Sequence, residues 1–128
     1  MTMEEKRFLK LSDIGAYKIS FALSNYVWGL VVNWDYFCKE TVGKQFVRSV
    51  DSISSNIAEG FGRYGKKDKI KFYYYSLGSI KESLDWNQKA RVRGIIFQEQ
   101  HQRIFSELDR LPREIYNLIS FTRKKLND

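Results

Sequence analysis

Residue types that cross-link a chain or carry out catalysis are scarce in this sequence. It has one cysteine, Cys38, and one histidine, His101. A lone cysteine cannot form an internal disulfide, which favours a reducing compartment. One thiol and one imidazole make up no metal-ligand set at a known spacing and predict no nucleophile–base pair. We therefore expect no enzyme activity, no metal and no cofactor, with Cys38 an apolar filler and His101 a solvated side chain.

Long hydrophobic runs are also absent. The apolar stretches are interrupted by Asn, Gly, Lys or Asp well before the roughly 18 residues that a membrane-spanning helix needs. Residues 1–10 are charged and lack the apolar segment of a signal peptide. The sequence therefore predicts a cytoplasmic protein.

Phosphate-binding loops have no clear counterpart here either. The segment GFGRYGKK, residues 60–67, lacks the GxxxxGK[ST] spacing and follows a predicted helix instead of a strand. We interpret it as a turn that ends a helix. Glycine adopts the left-handed conformation of a helix C-terminus without penalty, so Gly60, Gly62 and Gly65 are expected to end the helix in that way.

The chain does contain many apolar and aromatic residues and an excess of positive charge. Hydrophobic residues make up 43%, aromatic residues 16%, and the net charge is +7. This length and composition indicate one domain, residues 1–128, with a substantial core. The charge favours an anionic partner, although a basic protein with no nucleic-acid role has the same composition.

Four stretches have the apolar spacing of amphipathic helices. We expect the first after an N-cap at Ser12 or Asp13, and the second after a connector, residues 34–43, with Thr41 as its candidate N-cap. The predicted ranges are 12–33, 42–61, 66–90 and 98–126. Four helices joined by short connections predict an all-α, up-down-up-down four-helix bundle.

Each predicted helix has an apolar face that must be buried. The fourth face keeps its spacing across Pro112, which indicates a kinked but continuous helix. The predicted core residues are, in helix order, Ile14, Tyr17, Phe21, Tyr26, Val27, Leu30 and Val31; Phe46, Val50, Ile53, Ile57 and Phe61; Ile70, Tyr73, Leu77, Ile80 and Leu84; and Ile104, Leu108, Leu111, Ile115, Leu118 and Thr122.

Two further surfaces lie beside these core faces. The second helix has a polar stripe of Gln45, Ser49, Ser52, Asn56, Glu59 and Arg63, and the third has an aromatic surface of Phe72, Tyr75, Ser76, Ser79, Ser83 and Trp86. Exposed aromatic surface is costly in water, so we predict a subunit interface that includes Ser52, Asn56, Glu59, Phe72, Tyr75, Ser79 and Trp86. Asn56, Glu59 and either Arg48 or Arg63 are expected to form a polar network there. The alternative is that the bundle itself covers this surface.

Residues 45–63, QFVRSVDSISSNIAEGFGR, also resemble a known family. Asp51-Ser52-Ile53 and the run NIAEGFGR, residues 56–63, resemble the signature of four-helix-bundle proteins named for 23S rRNA intervening sequences, which are relatives of the accessory variability proteins of diversity-generating retroelements. Ser54-Ser55 stand where many members have a proline, a local departure. Arg93-Gly94-Ile95-Ile96 introduces the last helix as in the family. The resemblance implies a bundle that assembles as a ring-shaped homopentamer.

Basic residues form three clusters along the chain. They are Arg63, Lys66 and Lys67, followed by Lys69 and Lys71; Lys89, Arg91 and Arg93; and Arg123, Lys124 and Lys125. We expect residues 89–93 and 123–125 to merge into one basic rim, with the turn after the second helix at the opposite end. An oligomer would repeat that rim, and each phosphate contact steepens the salt dependence of binding. Tyr64 is a candidate for stacking on a base.

These features predict a non-catalytic nucleic-acid-binding accessory protein that acts as a basic homo-oligomeric ring. Structured RNA is favoured over DNA as its ligand. The resemblance implies a protein partner such as a reverse transcriptase. The alternative is a structural scaffold that self-assembles and binds protein partners without a nucleic-acid role.

Overall fold

The structure is a computed structural model that describes residues 10–125, and this part of the chain contains helices and no β-strand. Four helices follow a 3-10 turn at Leu11–Asp13. They are α1, Gly15–Val31; α2, residues 36–61, which comprises Tyr36–Cys38, a π-helical segment Lys39–Gly43 and Lys44–Phe61; α3, Lys66–Val92; and α4, Gln98–Lys125. None of the helices within residues 10–125 is long and apolar enough to cross a membrane.

The four helices pack as a helical bundle. Each helix contacts the next in the chain, and α1 also contacts α4. Contacts between α2 and α3 pair rising residue numbers on one helix with falling residue numbers on the other. Between α2 and α3, Ser76 Oγ donates to the Ile53 carbonyl over 2.8 Å, whereas Lys69 Nζ donates to the Phe61 carbonyl over 2.7 Å.

The start of α2 differs from the sequence prediction. The Asp35 carboxylate accepts a hydrogen bond from the Cys38 amide over 3.0 Å, so the helix begins at Tyr36 and most of the predicted connector is helical. Thr41 is not a cap, because it lies inside the π-helical segment and its hydroxyl donates to the Phe37 carbonyl.

The predicted cap of α1 is also wrong. Ser12 and Asp13 lie in the 3-10 turn, and Ile14 occupies the N-cap position with no side-chain hydrogen bond. At the other end of the chain, α4 continues through Pro112, as predicted. Leu126, the predicted last residue of this helix, lies outside the described residues.

Glycine acts at other places than expected. Gly62 has right-handed helical angles and Gly60 lies inside α2, so neither adopts the left-handed conformation, and Gly65 is extended. Gly94 is left-handed, with φ 74°. The Gly94 amide donates a hydrogen bond to the Arg91 carbonyl, and the Ile95 amide donates one to the Ala90 carbonyl. This is the Schellman motif, and it ends α3.

The core contains most of the predicted apolar faces. In α2, Phe46, Val50, Ile53 and Ile57 are completely buried, and Phe61 is half-buried. In α4, Ile119 is buried where Leu118 was expected, and Leu118 packs at the edge. The α1 prediction was less accurate, because Phe21 is exposed while Ala16, Ser20 and Leu23 line the core beside Val27 and Val31.

The buried line of α3 contains hydroxyl groups that were assigned to its outer surface. Ser76 and Ser83 are fully buried, because they face α2. Ser83 Oγ lies 3.2 Å from Ser49 Oγ, so these small hydroxyls pair across the two helices. The full line is Tyr73, Ser76, Ile80, Ser83, Asn87 and Ala90, while Ile70, Leu77 and Leu84 are half-buried beside it.

Candidate nucleic-acid and assembly surfaces

One end of the bundle gathers two of the three basic clusters. Lys66 Nζ donates to the Arg123 carbonyl over 3.1 Å, and the Arg123 guanidinium lies 3.4 Å from the Tyr74 hydroxyl. The turn after α2 and the end of α4 are therefore neighbours. We call this surface the basic end; its residues are Arg63, Tyr64, Lys66, Lys67, Arg123 and Lys124.

The predicted merger of residues 89–93 with residues 123–125 is wrong. Arg91 Nε donates to Gln98 Oε1 over 2.8 Å, which places residues 89–93 beside the first turn of α4. A helix rises about 1.5 Å per residue, so Gln98 and Arg123 lie roughly 38 Å apart. The two clusters are separated because α4 runs in the opposite direction to α3 and returns the chain to the turn after α2. Lys125 is the last residue of α4.

Some cations of the basic end are already paired with protein groups. The Arg63 guanidinium binds Glu59 over 2.8 Å, approaches Asp68, and lies 4.6 Å from the Phe72 ring centre. Beside the basic end, Lys69 donates to the Phe61 carbonyl, and burial lowers the pKa of its ammonium group. These contacts organise the turn and reduce the charge available to a ligand.

Other groups of the basic end face solvent. Lys67 and Lys124 are exposed and form no ion pair within residues 10–125. Tyr64 is 99% exposed, although an aromatic ring normally packs against protein. The basic end therefore combines solvent-facing ammonium groups with a solvent-facing aromatic ring.

The third basic cluster lies at the other end, beside the connector of residues 93–97. Lys89 Nζ pairs with Asp85 over 2.6 Å and lies 4.6 Å from the Trp86 ring centre. Arg91 is held by Gln98. Arg93 is exposed, and its side chain has no hydrogen bond or ion pair among the residues that the structure describes.

The predicted interface residues lie along the groove between α2 and α3. Phe72 and Tyr75 contact edge to face, with ring centres 5.4 Å apart, and Tyr75 is 51% exposed. Ser79 and Trp86 continue this line and are half-buried. On α2, Ser52 and Asn56 are half-buried and Glu59 is exposed. The groove has an aromatic half and a polar half.

The predicted polar network is divided into two parts. Arg48 binds Glu82 over 2.8 Å and Gln45 over 3.0 Å, whereas Arg63 binds Glu59. The Asn56 amide donates to the Ser52 carbonyl of its own helix and joins neither part.

Two residues of these surfaces were missed at the sequence level. Glu82 accepts from Arg48 and from Trp86 Nε1, and the separation of four residues from Glu82 to Trp86 was the available signal. Tyr74 contacts Arg123 across two helices, and no local pattern indicates that pair.

No contact is observed between Cys38 and His101, so they do not form a nucleophile–base pair. Burial, followed by the hydrogen bond with Asp35, raises the pKa of the Cys38 thiol, so it is protonated at neutral pH. His101 is half-buried, contrary to the prediction, and its ring stacks on Phe105. Within residues 10–125, no cluster of His, Cys, Asp and Glu could hold a metal ion.

Comparisons with known proteins agree with this architecture. A solved structure from Bacteroides thetaiotaomicron, a protein of unknown function from the S23 ribosomal protein family, superposes with a TM-score of 0.72 at 20% identity. The match covers 81% of this chain and 97% of that one, which shows a shared fold. No curated protein matches this chain. The sequence profile of the 23S rRNA-intervening sequence proteins matches residues 12–117. The chain therefore belongs to the 23S rRNA-intervening sequence protein family.

Proposed function

We propose that this protein is a non-catalytic nucleic-acid-binding protein, with structured RNA as its preferred ligand. The observation that carries the proposal is the basic end, where residues 63–67 and 123–124 meet and Tyr64 is 99% exposed. Cations attract phosphates without regard to sequence, and an exposed ring can stack on an unpaired base. The family name supports a connection to RNA genes.

The groups of the basic end have different roles in this proposal. Lys67, Arg123 and Lys124 contact phosphates, because their side chains are exposed. Tyr64 stacks on a base of a loop or bulge, which a continuous duplex does not offer. Arg63 is held by Glu59 and Phe72, so it positions the turn more than it binds the ligand.

Assembly multiplies this surface. The proposed state is an up-down-up-down bundle that forms a ring-shaped homopentamer through the α2–α3 groove. The exposed Tyr75 and the Phe72 ring beside it support this interface, since such surface is costly in water. A closed ring presents one copy of the basic end per subunit on the same face. The lone cysteine supports a cytoplasmic location, where thiols stay reduced. The proposed protein partner is of the reverse-transcriptase class.

A titration of the protein into a fluorescent RNA stem-loop tests this function. A DNA duplex of the same stem sequence, read at several salt concentrations, is the comparison. We expect the stem-loop to bind more tightly than the duplex, and Tyr64→Ala to remove that preference while leaving duplex binding unchanged. Failure of both nucleic acids to bind at low salt would refute the proposal.

A scaffold that binds protein partners is the second candidate function. It is favoured by apolar side chains at the connector end, where Phe37, Val92 and Phe97 are 73%, 73% and 72% exposed. Protein partners readily bury exposed apolar side chains of this kind.

A further inference from the structure

A cleft of about 690 Å³ lies at the connector end of the bundle. The first turns of α2 form one wall, Trp86 of α3 forms the second, and the connector after α3 forms the third with Arg93 and Ile95. This volume is in the range of sites that hold a small ligand or a peptide side chain. The cleft lies at the other end of α4 from the basic end, so the inference does not rest on the nucleic-acid proposal. It shares Trp86 with the proposed subunit interface, so it requires that assembly leave the cleft side of that ring open.

The walls of the cleft are mainly apolar. Phe37, Val42, Trp86 and Ile95 line it, together with Cys38 and Thr41. Val42 is buried and Trp86 is half-buried, so both have fixed neighbours, whereas Phe37 stands at the edge. A large apolar side chain of a ligand would therefore meet a preformed surface.

The backbone on either side shapes this cleft. On the α2 side, the π-helical segment Lys39–Gly43 widens the helix, and such segments occur often at functional sites. The back of this segment is tightly packed, because a Cβ atom on Gly43 would lie 2.7 Å from Val31 Cγ1. On the connector side, the left-handed Gly94 fixes the turn between Arg93 and Ile95.

Charge in the cleft is unbalanced. Glu40 lines it, but its carboxylate pairs with Lys44 at 3.6 Å. Arg93 lines the same cleft, and its guanidinium has no partner among residues 10–125. A guanidinium binds a carboxylate in a two-pronged geometry, which adds specificity to the charge attraction.

We infer that this cleft is a docking site for an acidic peptide segment of a partner protein, in which a large apolar side chain lies next to an Asp or Glu. The apolar side chain occupies the space between Trp86, Val42 and Ile95, and the carboxylate binds Arg93. A polypeptide can supply both an apolar side chain and a carboxylate.

Selection of displayed random short peptides on the immobilised protein tests this inference. We expect enriched sequences with an aromatic or large aliphatic residue beside an Asp or Glu. The synthetic consensus peptide is then measured by fluorescence polarisation against wild type, Arg93→Glu and Arg93→Gln. The matched control is Arg113→Glu, an exposed arginine of α4 that does not line the cleft. Loss of the guanidinium is expected to weaken peptide binding roughly tenfold or more. The affinity of the control is expected to stay within about twofold of wild type.

Cys38 gives a direct report on location, because it is the one thiol in the chain and lines the cleft. Saturating peptide is expected to slow alkylation of Cys38 by a maleimide in wild type and not in Arg93→Glu protein. Light scattering then measures the mass of the Arg93→Glu particle. This mass is expected to equal that of wild type, because the cleft is proposed to bind a partner and not a second copy of this chain.

Three results would overturn the inference. The first is a consensus without an acidic residue, or no consensus at all. The second is an alkylation rate of Cys38 that is unchanged by bound peptide. The third is a lower mass for Arg93→Glu, which would mean that a second copy of this chain fills the cleft.

Discussion

Small side chains decide how closely α2 and α3 approach one another. A Cβ atom on Gly60 would lie 2.8 Å from Tyr73 Cε1 and 2.9 Å from the Lys69 carbonyl oxygen. The second of these atoms is backbone, so it cannot move aside like the end of a side chain. Gly60 is thus required by packing inside a helix, although its place in a glycine-rich run indicated a turn.

Replacement of Gly60 tests this packing. Gly60→Ala is expected to lower the free energy of unfolding by about 1–3 kcal/mol, because the helices must separate. Gly78→Ala is the matched control, since Gly78 is exposed on α3 with open space around its Cβ position. It is expected to raise the stability by about 0.5–1 kcal/mol. Urea denaturation at one protein concentration measures both, and equal effects would contradict the account.

Tyr73 makes stability depend on alkaline pH. Burial raises the pKa of its phenol to about 12, although a hydrogen bond with Thr122 acts in the opposite direction. The folded state disfavours the phenolate. The contribution of the neutral Tyr73 phenol to folding stability is therefore fully present below about pH 10 and is lost as the pH rises toward 12. Between these values, wild type should lose up to about 3 kcal/mol more than Tyr73→Phe, at 1.36 kcal/mol per pKa unit. Parallel pH profiles of the two proteins would show that Tyr73 does not titrate in this way.

At the scale of helices, apolar spacing predicted which segments are helical and which faces are buried. It was accurate where the buried residues are large, as in α2 and α4. It failed in α3, because Ser76 and Ser83 are polar by composition but small enough to lie between helices. Periodicity alone cannot distinguish a buried serine from an exposed one until the partner helix is known.

Helix ends were predicted less well than helix faces. Asp35, which caps α2, was overlooked because residues 34–43 were assigned to a connector, with Thr41 as the candidate cap of the helix after it. Ser12 and Asp13 have suitable side chains, but Ile14 takes the N-cap position of α1. A capping residue type is common, and only backbone geometry shows which one accepts the hydrogen bond.

Removal of the two candidate caps distinguishes them. Asp35→Ala is expected to lower the urea midpoint, because the Cys38 amide loses its acceptor, whereas Asp13→Ala should change it little. The hydrogen bond from the Cys38 backbone amide lowers the pKa of Asp35. The stabilisation is therefore present above the normal carboxyl pKa and is lost as the pH falls through the folded value. A larger effect from Asp13→Ala than from Asp35→Ala would contradict the capping assignment.

At the scale of the whole molecule, direction along the bundle decides which basic residues act together. The fold class was predictable from four amphipathic segments, and the family was predictable from residues 51–63. The basic rim was mispredicted because the direction of α4 was traced incorrectly. The assumed up-down topology in fact places the end of α4 beside the turn after α2, and not beside residues 89–93. The contact between Lys66 and Arg123 corrects that placement.

Assembly through the α2–α3 groove predicts a change of mass. Tyr75→Glu and Trp86→Lys place charge in the proposed interface and are expected to give a smaller particle with helix content largely unchanged. Light scattering and circular dichroism measure the two quantities. Lys81→Glu, an exposed change on the same helix, is the control. An unchanged mass for both interface variants would refute this surface as the contact between subunits.

The most direct test of the account compares the two ends of the bundle in RNA binding. Lys67→Glu/Lys124→Glu changes the basic end, and Arg91→Glu/Arg93→Glu makes the same change of charge at the connector end. The slope of log affinity against log salt is measured for an RNA stem-loop with each protein and with wild type. The account predicts a weaker affinity and a slope lower by about one unit or more for the first variant, with the second close to wild type. Equal loss from both variants, or greater loss from the second, would contradict the claim that the basic end is the nucleic-acid surface.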